Sequence, residues 1–158
     1  MKPSVLFVCL GNICRSPLAH GVMQHLLKQE GNTQFGIIDS CGMYGEPEGE
    51  PTHPGSVEVI KQKLGVSFSK GSRHWRKSDY EKFDLILTMD RSNFRDVMDE
   101  LQNQDPLKKV KMFRDFDPAG QGDVPDPYYT GGFDGVFKMV ERTCRNLIDL
   151  HAQGKLLQ

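Results

Sequence analysis

The chain reads as an α/β domain of three layers built around a mainly parallel sheet, and three observations predict this. Its strand candidates are short, continuous apolar runs such as Val5-Leu6-Phe7-Val8-Cys9 and Asp84-Leu85-Ile86-Leu87-Thr88-Met89, the pattern of strands covered on both faces. Segments with helical spacing alternate with them. The runs also end in turn and helix-start residues (Gly11-Asn12 before Ser16-Pro17) rather than in two-residue hairpin turns.

Taken in order, Val5–Cys9 is the first strand. A helix follows, with Ser16 at its N-cap and Pro17 as its first residue. Leu18, Val22, Leu26 and Met23 form its buried stripe, and Gly31-Asn32 ends it. Gln34–Ser40 is a second strand. Cys41–Pro54 holds three glycines and three prolines, so it is an irregular loop, long enough to suggest a functional one. Helical spacing resumes at Val57, Ile60 and Leu64. Asp84–Met89 is the third strand, Asn93–Leu101 a helix, and Val110–Phe113 a short fourth strand. A loop rich in Asp, Pro and Gly runs from Asp115 to Gly132. The last helix spans Asp134–His151, with Phe137, Val140, Cys144, Leu147 and Ile148 inward. With no repeat and no low-complexity linker, residues 1–158 are expected to form one domain.

Composition narrows the function. The chain has 158 residues, 37% apolar and 26% charged, ordinary for a globular protein with a core of its own. Its 20 basic and 21 acidic residues nearly cancel, so nothing draws it generally to nucleic acid or to an anionic membrane. An anion it binds must be held locally. The opening Met1-Lys2-Pro3-Ser4 leads into six apolar residues only, too few for a leader or a membrane span. Four cysteines without a Cys-x-x-Cys pair suggest neither a disulfide framework nor zinc, and point to a cytoplasmic protein with reduced thiols. No metal and no cofactor is expected.

The chemistry concentrates at Cys9-Leu10-Gly11-Asn12-Ile13-Cys14-Arg15-Ser16-Pro17. In an open parallel sheet, ligands bind beyond the carboxyl ends of strands, near helix N-termini. Gly11 and Asn12 tolerate the left-handed backbone that lets successive N–H groups point at one centre. The helix start adds its positive end, and Arg15 offers a planar fork for two phosphoryl oxygens. Cys9 sits at the floor of this cradle. A free cysteine has a pKa of ~8.5, and comparable electropositive positions bring it to roughly 3.5–7.5. A thiolate beneath a cradled phosphate is aligned for in-line attack. A cysteine at the end of a buried strand is more often a small core residue. What separates this one is the combination of apolar strand, Gly-Asn turn, arginine and Ser-Pro helix start. Walker A and the dinucleotide fingerprint are both absent from the junction.

Phosphoryl transfer to sulfur needs a protonated leaving oxygen. Of the acids in the late loop, Asp126 stands out, because Pro127 stiffens the chain beside it. Tyr128 and Tyr129 are then able to line a cleft and stack on an aromatic substrate; alone, Asp-Pro is more often a turn and such tyrosines loop packing, so the motif gains its interest from the first one.

These segments make the chain similar to the low-molecular-weight protein tyrosine phosphatases. The first comprises Val8 to Pro17, the second Phe83-Asp84 to Met89-Asp90 with Ser92-Asn93, and the third Asp126-Pro127-Tyr128-Tyr129. The resemblance spans essentially the whole length. It implies a four-stranded parallel sheet with helices on both faces. It also implies a two-step hydrolysis of phosphotyrosine in protein substrates through a cysteinyl-phosphate, without a metal, by a monomer or weak dimer. By resemblance, Cys9 is the nucleophile, Arg15 the transition-state clamp, and Asp126 the acid and then the base. Leu10, Gly11, Asn12, Ile13, Cys14 and Ser16 form the phosphate cradle. Asn12 holds the strained loop and Ser16 donates to the Cys9 thiolate, while Cys14 is its reversible disulfide partner under oxidation.

Some positions depart from the pattern. Glu46 stands where the family places a cleft aromatic, so a carboxylate that repels phosphate replaces a stacking ring, unless Tyr44 takes over the role. The family's Asp-Pro-Arg appears as His53-Pro54-Gly55, without the charge pair that braces the loop. A histidine expected near Lys70 is missing, although Arg73 is kept. Among rivals, a thiol-dependent arsenate reductase needs relay cysteines after the third strand, where this chain has Thr88. Phosphoarginine phosphatases carry Thr where Ile13 stands. A phosphate-binding module without catalysis is the alternative of a different class.

Overall fold

The first strand, β1 (Val5–Cys9), is wholly buried and sits inside a sheet of four parallel strands. In the computed structural model, which describes residues 1–45 and 47–157, β2 (Ile38–Gly42) lies on one side of β1. On the other side lie β3 (Leu85–Thr88) and then β4 (Val110–Met112), giving the order β2-β1-β3-β4. All three pairings are parallel. The chain leaves β1 towards β2 and later crosses to β3. The carboxyl end of β1 is therefore the point where strand order reverses and a crevice opens.

The side chains of β1 alternate between two cores. Val5, Phe7 and Cys9 pack with Leu18, Val22 and Leu26 of α1 (Arg15–Gln29) and with Phe137, Val140 and Leu147 of α6 (Phe133–Ala152). Leu6 and Val8 face the opposite layer, packing with Val97 of α4 (Arg91–Glu100) and with Tyr80 of α3 (Asp79–Lys82). Helices thus cover both faces of the sheet, as expected. The two α-helices not foreseen are short: α3 and α5 (Pro127–Thr130). The remaining helix, α2 (Pro54–Leu64), packs beside α1 and buries Ser56, Val59 and Ile60 rather than Val57.

Several boundaries differ from the sequence reading, each for a visible reason. β2 runs over Ile38–Gly42, not Gln34–Ser40, because β1 starts at Val5 and Val5 pairs with Ile38; earlier residues have no strand to face. Phe113 opens a single 3₁₀ turn (Phe113–Phe116) instead of extending β4. α4 starts at Arg91 because Asp90 caps it, its Oδ1 accepting the Asn93 N–H at 2.8 Å. α1 starts two residues early, at Arg15, and Ser16 is not its cap. The Ser16 hydroxyl is instead engaged with Cys9 and Asn12.

Among the described residues, no helix is long and apolar enough to cross a membrane.

Candidate active site

Beyond the end of β1 the chain curls through residues 10–14 and enters α1. Asn12 has φ 57, a left-handed conformation, whereas Gly11 does not; of the two residues expected to allow the curl, one uses the freedom. Asn/Asp side chains reduce that cost by bonding locally, and here Asn12 is fully buried and bonded at both ends of its amide. Gly42 gives the curl room on its inner side. A Cβ there would lie 2.8 Å from Asn12 N and 2.9 Å from the Leu10 carbonyl, closer than packed atoms allow.

Cys9 Sγ lies at the centre of the curl. The Asn12 N–H donates to it at 3.3 Å, and Ser16 Oγ is 3.0 Å away. The N–H groups of Gly11, Ile13, Cys14, Arg15 and Ser16 meet no acceptor among the described residues. A run of such groups at a helix start is a ready anion cradle. The arginine is held rather than loose. Arg15 Nη1 donates to Asp90 Oδ2 at 2.7 Å and to the Val124 carbonyl at 3.0 Å, while Nη2 makes a longer contact, 3.4 Å, to Asp126 Oδ2. Burial would lower the arginine's proton affinity, but the thiol of Cys9 and the carboxylates of Asp90 and Asp126 outweigh it. Arg15 is only 3% exposed, so its charge acts with little screening.

Asp126 caps α5, its Oδ1 accepting the Tyr128 N–H at 3.0 Å with Pro127 at the first helical position. Cys9, Leu10, Gly11, Ile13, Cys14, Arg15, Asp126, Tyr128 and Tyr129 all border one cavity of about 600 Å³. Asn12 and Ser16 do not line it; both are fully buried behind the cradle. Glu46 lies outside the described residues. Tyr44, named as its possible substitute, is exposed and does not border the cavity. The wall on that side is formed by Gly45, Glu50, Pro51, Thr52 and His53.

Cys14 is a buried thiol, its pKa pushed up to about 12 by burial first and then by Cys9 and Asp126, against Arg15. Cys41 and Cys144 are buried too, and no disulfide joins any of the four cysteines.

The departures noted in the sequence find other supports. His53 does not brace the loop through a charge pair. Its Nδ1 accepts the Gly55 N–H at 2.9 Å and its ring stacks on Phe133, 5.2 Å between centroids. Gly55 is required by that stacking, since a Cβ there would run into the Phe133 ring. The His53 N–H also donates to the Ile13 carbonyl at 2.7 Å, tying the rim to the cradle. Under the cradle, Lys70 donates to Asn12 Oδ1 at 2.8 Å. Arg73 does not reach the site with its guanidinium, which holds Asp39 and Asp79; its main-chain N–H bonds Asn12 Oδ1 at 3.0 Å. Three contributors were not legible in the sequence as site residues: Asp90, Ser40 and Lys70. The Met89-Asp90 motif was noted, but no local pattern says that Asp90 meets Arg15 across 75 residues.

Comparison with known proteins agrees with this geometry. The family model for low molecular weight phosphotyrosine protein phosphatase matches residues 4–156. The chain belongs to that family. It is 40% identical over 147 residues to the low molecular weight protein-tyrosine-phosphatase PtpA of Staphylococcus haemolyticus, covering 92% of this chain and 91% of the relative. It superimposes on the crystal structure of YfkJ from Bacillus subtilis with a TM-score of 0.89 at 34% identity, over 98% of each chain. A protein tyrosine phosphatase from Entamoeba histolytica, crystallised with Hepes in its active site, gives a TM-score of 0.86 at 34% identity, with 98% of this chain and 100% of that one covered. The protein is thus an enzyme of the protein-tyrosine-phosphatase class.

Proposed function

We propose that the protein hydrolyses phosphotyrosine in protein substrates through a cysteinyl-phosphate formed on Cys9. The observation that carries this reading is convergence on one cavity: the Cys9 sulfur, unpaired loop amides, the clamped Arg15 guanidinium and the Asp126 carboxyl. A phosphate dianion seated on the cradle takes hydrogen bonds from the loop amides and from the Arg15 edge not held by Asp90 and Val124. Those donors serve the equatorial oxygens, where charge spreads in the transition state.

In the first step Cys9 Sγ attacks phosphorus, an S–P bond forms, and the P–O bond to the tyrosyl oxygen breaks. Asp126 gives that oxygen its proton. In the second step a water attacks phosphorus, Asp126 takes the water's proton, and the S–P bond breaks to release inorganic phosphate. The Asn12 N–H, which donates to the sulfur, and the Ser16 hydroxyl, 3.0 Å from it, stabilise it as attacking and as leaving group. Tyr128 and Tyr129, 55% and 73% exposed, stand edge to face with ring centroids 5.1 Å apart and flank the substrate ring. Ile13 at the cavity wall favours an aryl group over a cationic guanidinium, which supports phosphotyrosine over phosphoarginine. Thr88 is fully buried in β3 and offers no relay thiol for arsenate reduction. Cys14 remains the partner for oxidised Cys9: its thiol attacks the sulfenic acid, forming an S–S bond with release of water.

The test is turnover of p-nitrophenyl phosphate and of phosphotyrosine peptides by wild type and Cys9→Ser. Wild type is expected to release phosphate and to be trapped by rapid acid quench as a phosphocysteine. Cys9→Ser is expected to bind phosphate without turnover. Residual catalysis by Cys9→Ser at the wild-type rate would overturn the covalent mechanism, and phosphate binding without turnover by the wild type would favour a binding module.

A further inference from the structure

Asn12 is the junction of two hydrogen-bond sets, and the far one ends on a lysine that the chemistry above does not use. Its Oδ1 faces Lys70 Nζ at 2.8 Å and the Arg73 N–H at 3.0 Å. An ammonium and a main-chain amide can only donate. The carbonyl end of the Asn12 side chain must therefore lie on that side, and its Nδ2 must face Ser16 Oγ at 2.8 Å and Ser40 Oγ at 3.0 Å. With Asn12 donating to it, the Ser16 oxygen has its own proton left to give. Cys9 Sγ lies 3.0 Å away, and the competing Cys41 carbonyl lies at 3.4 Å. Lys70 secures the same arrangement from a second side, donating to the Ser40 carbonyl at 2.8 Å and to Ser40 Oγ at 3.1 Å.

We propose that Lys70 is a positioning residue for Cys9: through Asn12 and Ser16 it orders the protons so that the Ser16 hydroxyl donates to the sulfur. This rests on the reading of Cys9 as nucleophile. The charges around Lys70 fit the role. Asp39 is 3.8 Å away and is shared with the Arg73 guanidinium, which also holds Asp79. Burial, aided by Arg73, favours loss of the Lys70 proton, and Asp39, Cys41 and Cys9 oppose that loss. The Lys70 side chain is only 16% exposed, so little water intervenes.

The experiment compares wild type, Lys70→Met, Lys70→Gln and Lys70→Arg, each also in a Ser16→Ala background. It reads steady-state turnover of p-nitrophenyl phosphate and the rate of Cys9 alkylation by iodoacetate at about pH 6, where the thiolate fraction limits alkylation. All assays are run well below each variant's melting temperature. Lys70→Met and Lys70→Gln are expected to lower kcat and the alkylation rate by about tenfold, the worth of one charge-assisted hydrogen bond, with KM within about twofold. Lys70→Arg, which keeps the cation and donors, is expected to recover most of both rates. In the Ser16→Ala background, loss of Lys70 is expected to add no more than about twofold, because the route runs through that hydroxyl. Wild-type rates in folded Lys70→Gln or Lys70→Met, or losses that add fully to those of Ser16→Ala, would overturn the positioning role. If turnover needs Cys9 but ignores Lys70, only this inference falls; if turnover survives Cys9→Ser, the nucleophile reading falls with it.

Discussion

The floor and the rim of the cavity are built by opposite means. The floor, residues 9–16, is buried apart from Leu10, Gly11 and Ile13 at the cavity surface, and it is cross-braced by polar groups from distant segments: Ser40, Lys70 and the Arg73 amide on Asn12, Asp90 on Arg15, and Ser56 on the Cys14 carbonyl. Its hydrogen bonds are made out of water, where a lost partner costs the most. The rim, residues 43–45 and 47–53 with Tyr128 and Tyr129, is largely exposed and tied down mainly through its backbone, as in the Gly49 and Glu50 links to Ser72. A floor of this kind fixes where phosphorus sits. A rim of this kind leaves room for the identity of the substrate to vary.

Four perturbations sharpen or break the contrast, the largest first. Asp126 is rim by position and floor by chemistry. Asp126→Asn is expected to slow turnover by ~10²–10⁴-fold for poor leaving groups, the usual worth of a positioned acid. The loss should be much smaller for aryl groups that leave without a proton; a plot of rate against leaving-group acidity checks this, and equal slowing across the series would assign the proton to another group. Gly42→Ala touches no substrate, yet its Cβ would press on Asn12 and Leu10. Displacing the cradle by about 1 Å is expected to cost on the order of 10² in kcat, measured with p-nitrophenyl phosphate. Near wild-type turnover would mean the floor is softer than its packing suggests.

The third concerns stability. His20 sits behind Ser40, 3.0 Å from its hydroxyl, and burial first, then Lys70 and Arg73, lower its pKa to about 4 against the pull of Asp39. The unfolded chain therefore binds this proton more readily than the fold does. Stability is expected to be full above about pH 6.5 and to fall by about 3 kcal/mol as the pH drops from 6.5 to 4. Urea melts across that range check it, with His20→Gln expected to flatten the slope; the same slope in both proteins would move the effect to another group. The smallest effect belongs to the rim. Tyr129→Ala is expected to raise KM for phosphotyrosine peptides by only a few fold, the worth of one partly exposed ring contact, and to leave kcat nearly unchanged. A large loss of kcat would show that the rim is as rigidly required as the floor.

Sequence reasoning named residues that the fold brings together at the floor, Cys9, Arg15 and Asp126 among them, but misjudged its mechanics. Ser16 looked like a helix cap because a serine before proline at a helix start usually is one; in the folded protein its hydroxyl serves the sulfur and α1 begins at Arg15. The loss of the family's charge pair at His53-Pro54-Gly55 suggested a looser loop. Ring stacking of His53 on Phe133 and the link to Ile13 hold it instead. Tyr44 looked able to fill the cleft and does not border it.

What the amino-acid order determined alone was everything written in neighbouring residues: the buried strand runs, the tight turn, the spacing from thiol to guanidinium, the acid before a proline. Such signals are local because backbone dihedrals and helix ends are decided within a few residues. Only the folded chain decided which distant side chains meet beneath that loop. Lys70 reaches Asn12 across 58 residues and Asp90 reaches Arg15 across 75, and those meetings follow from the order β2-β1-β3-β4. That order is set by how whole elements bury their faces, not by any short run of letters.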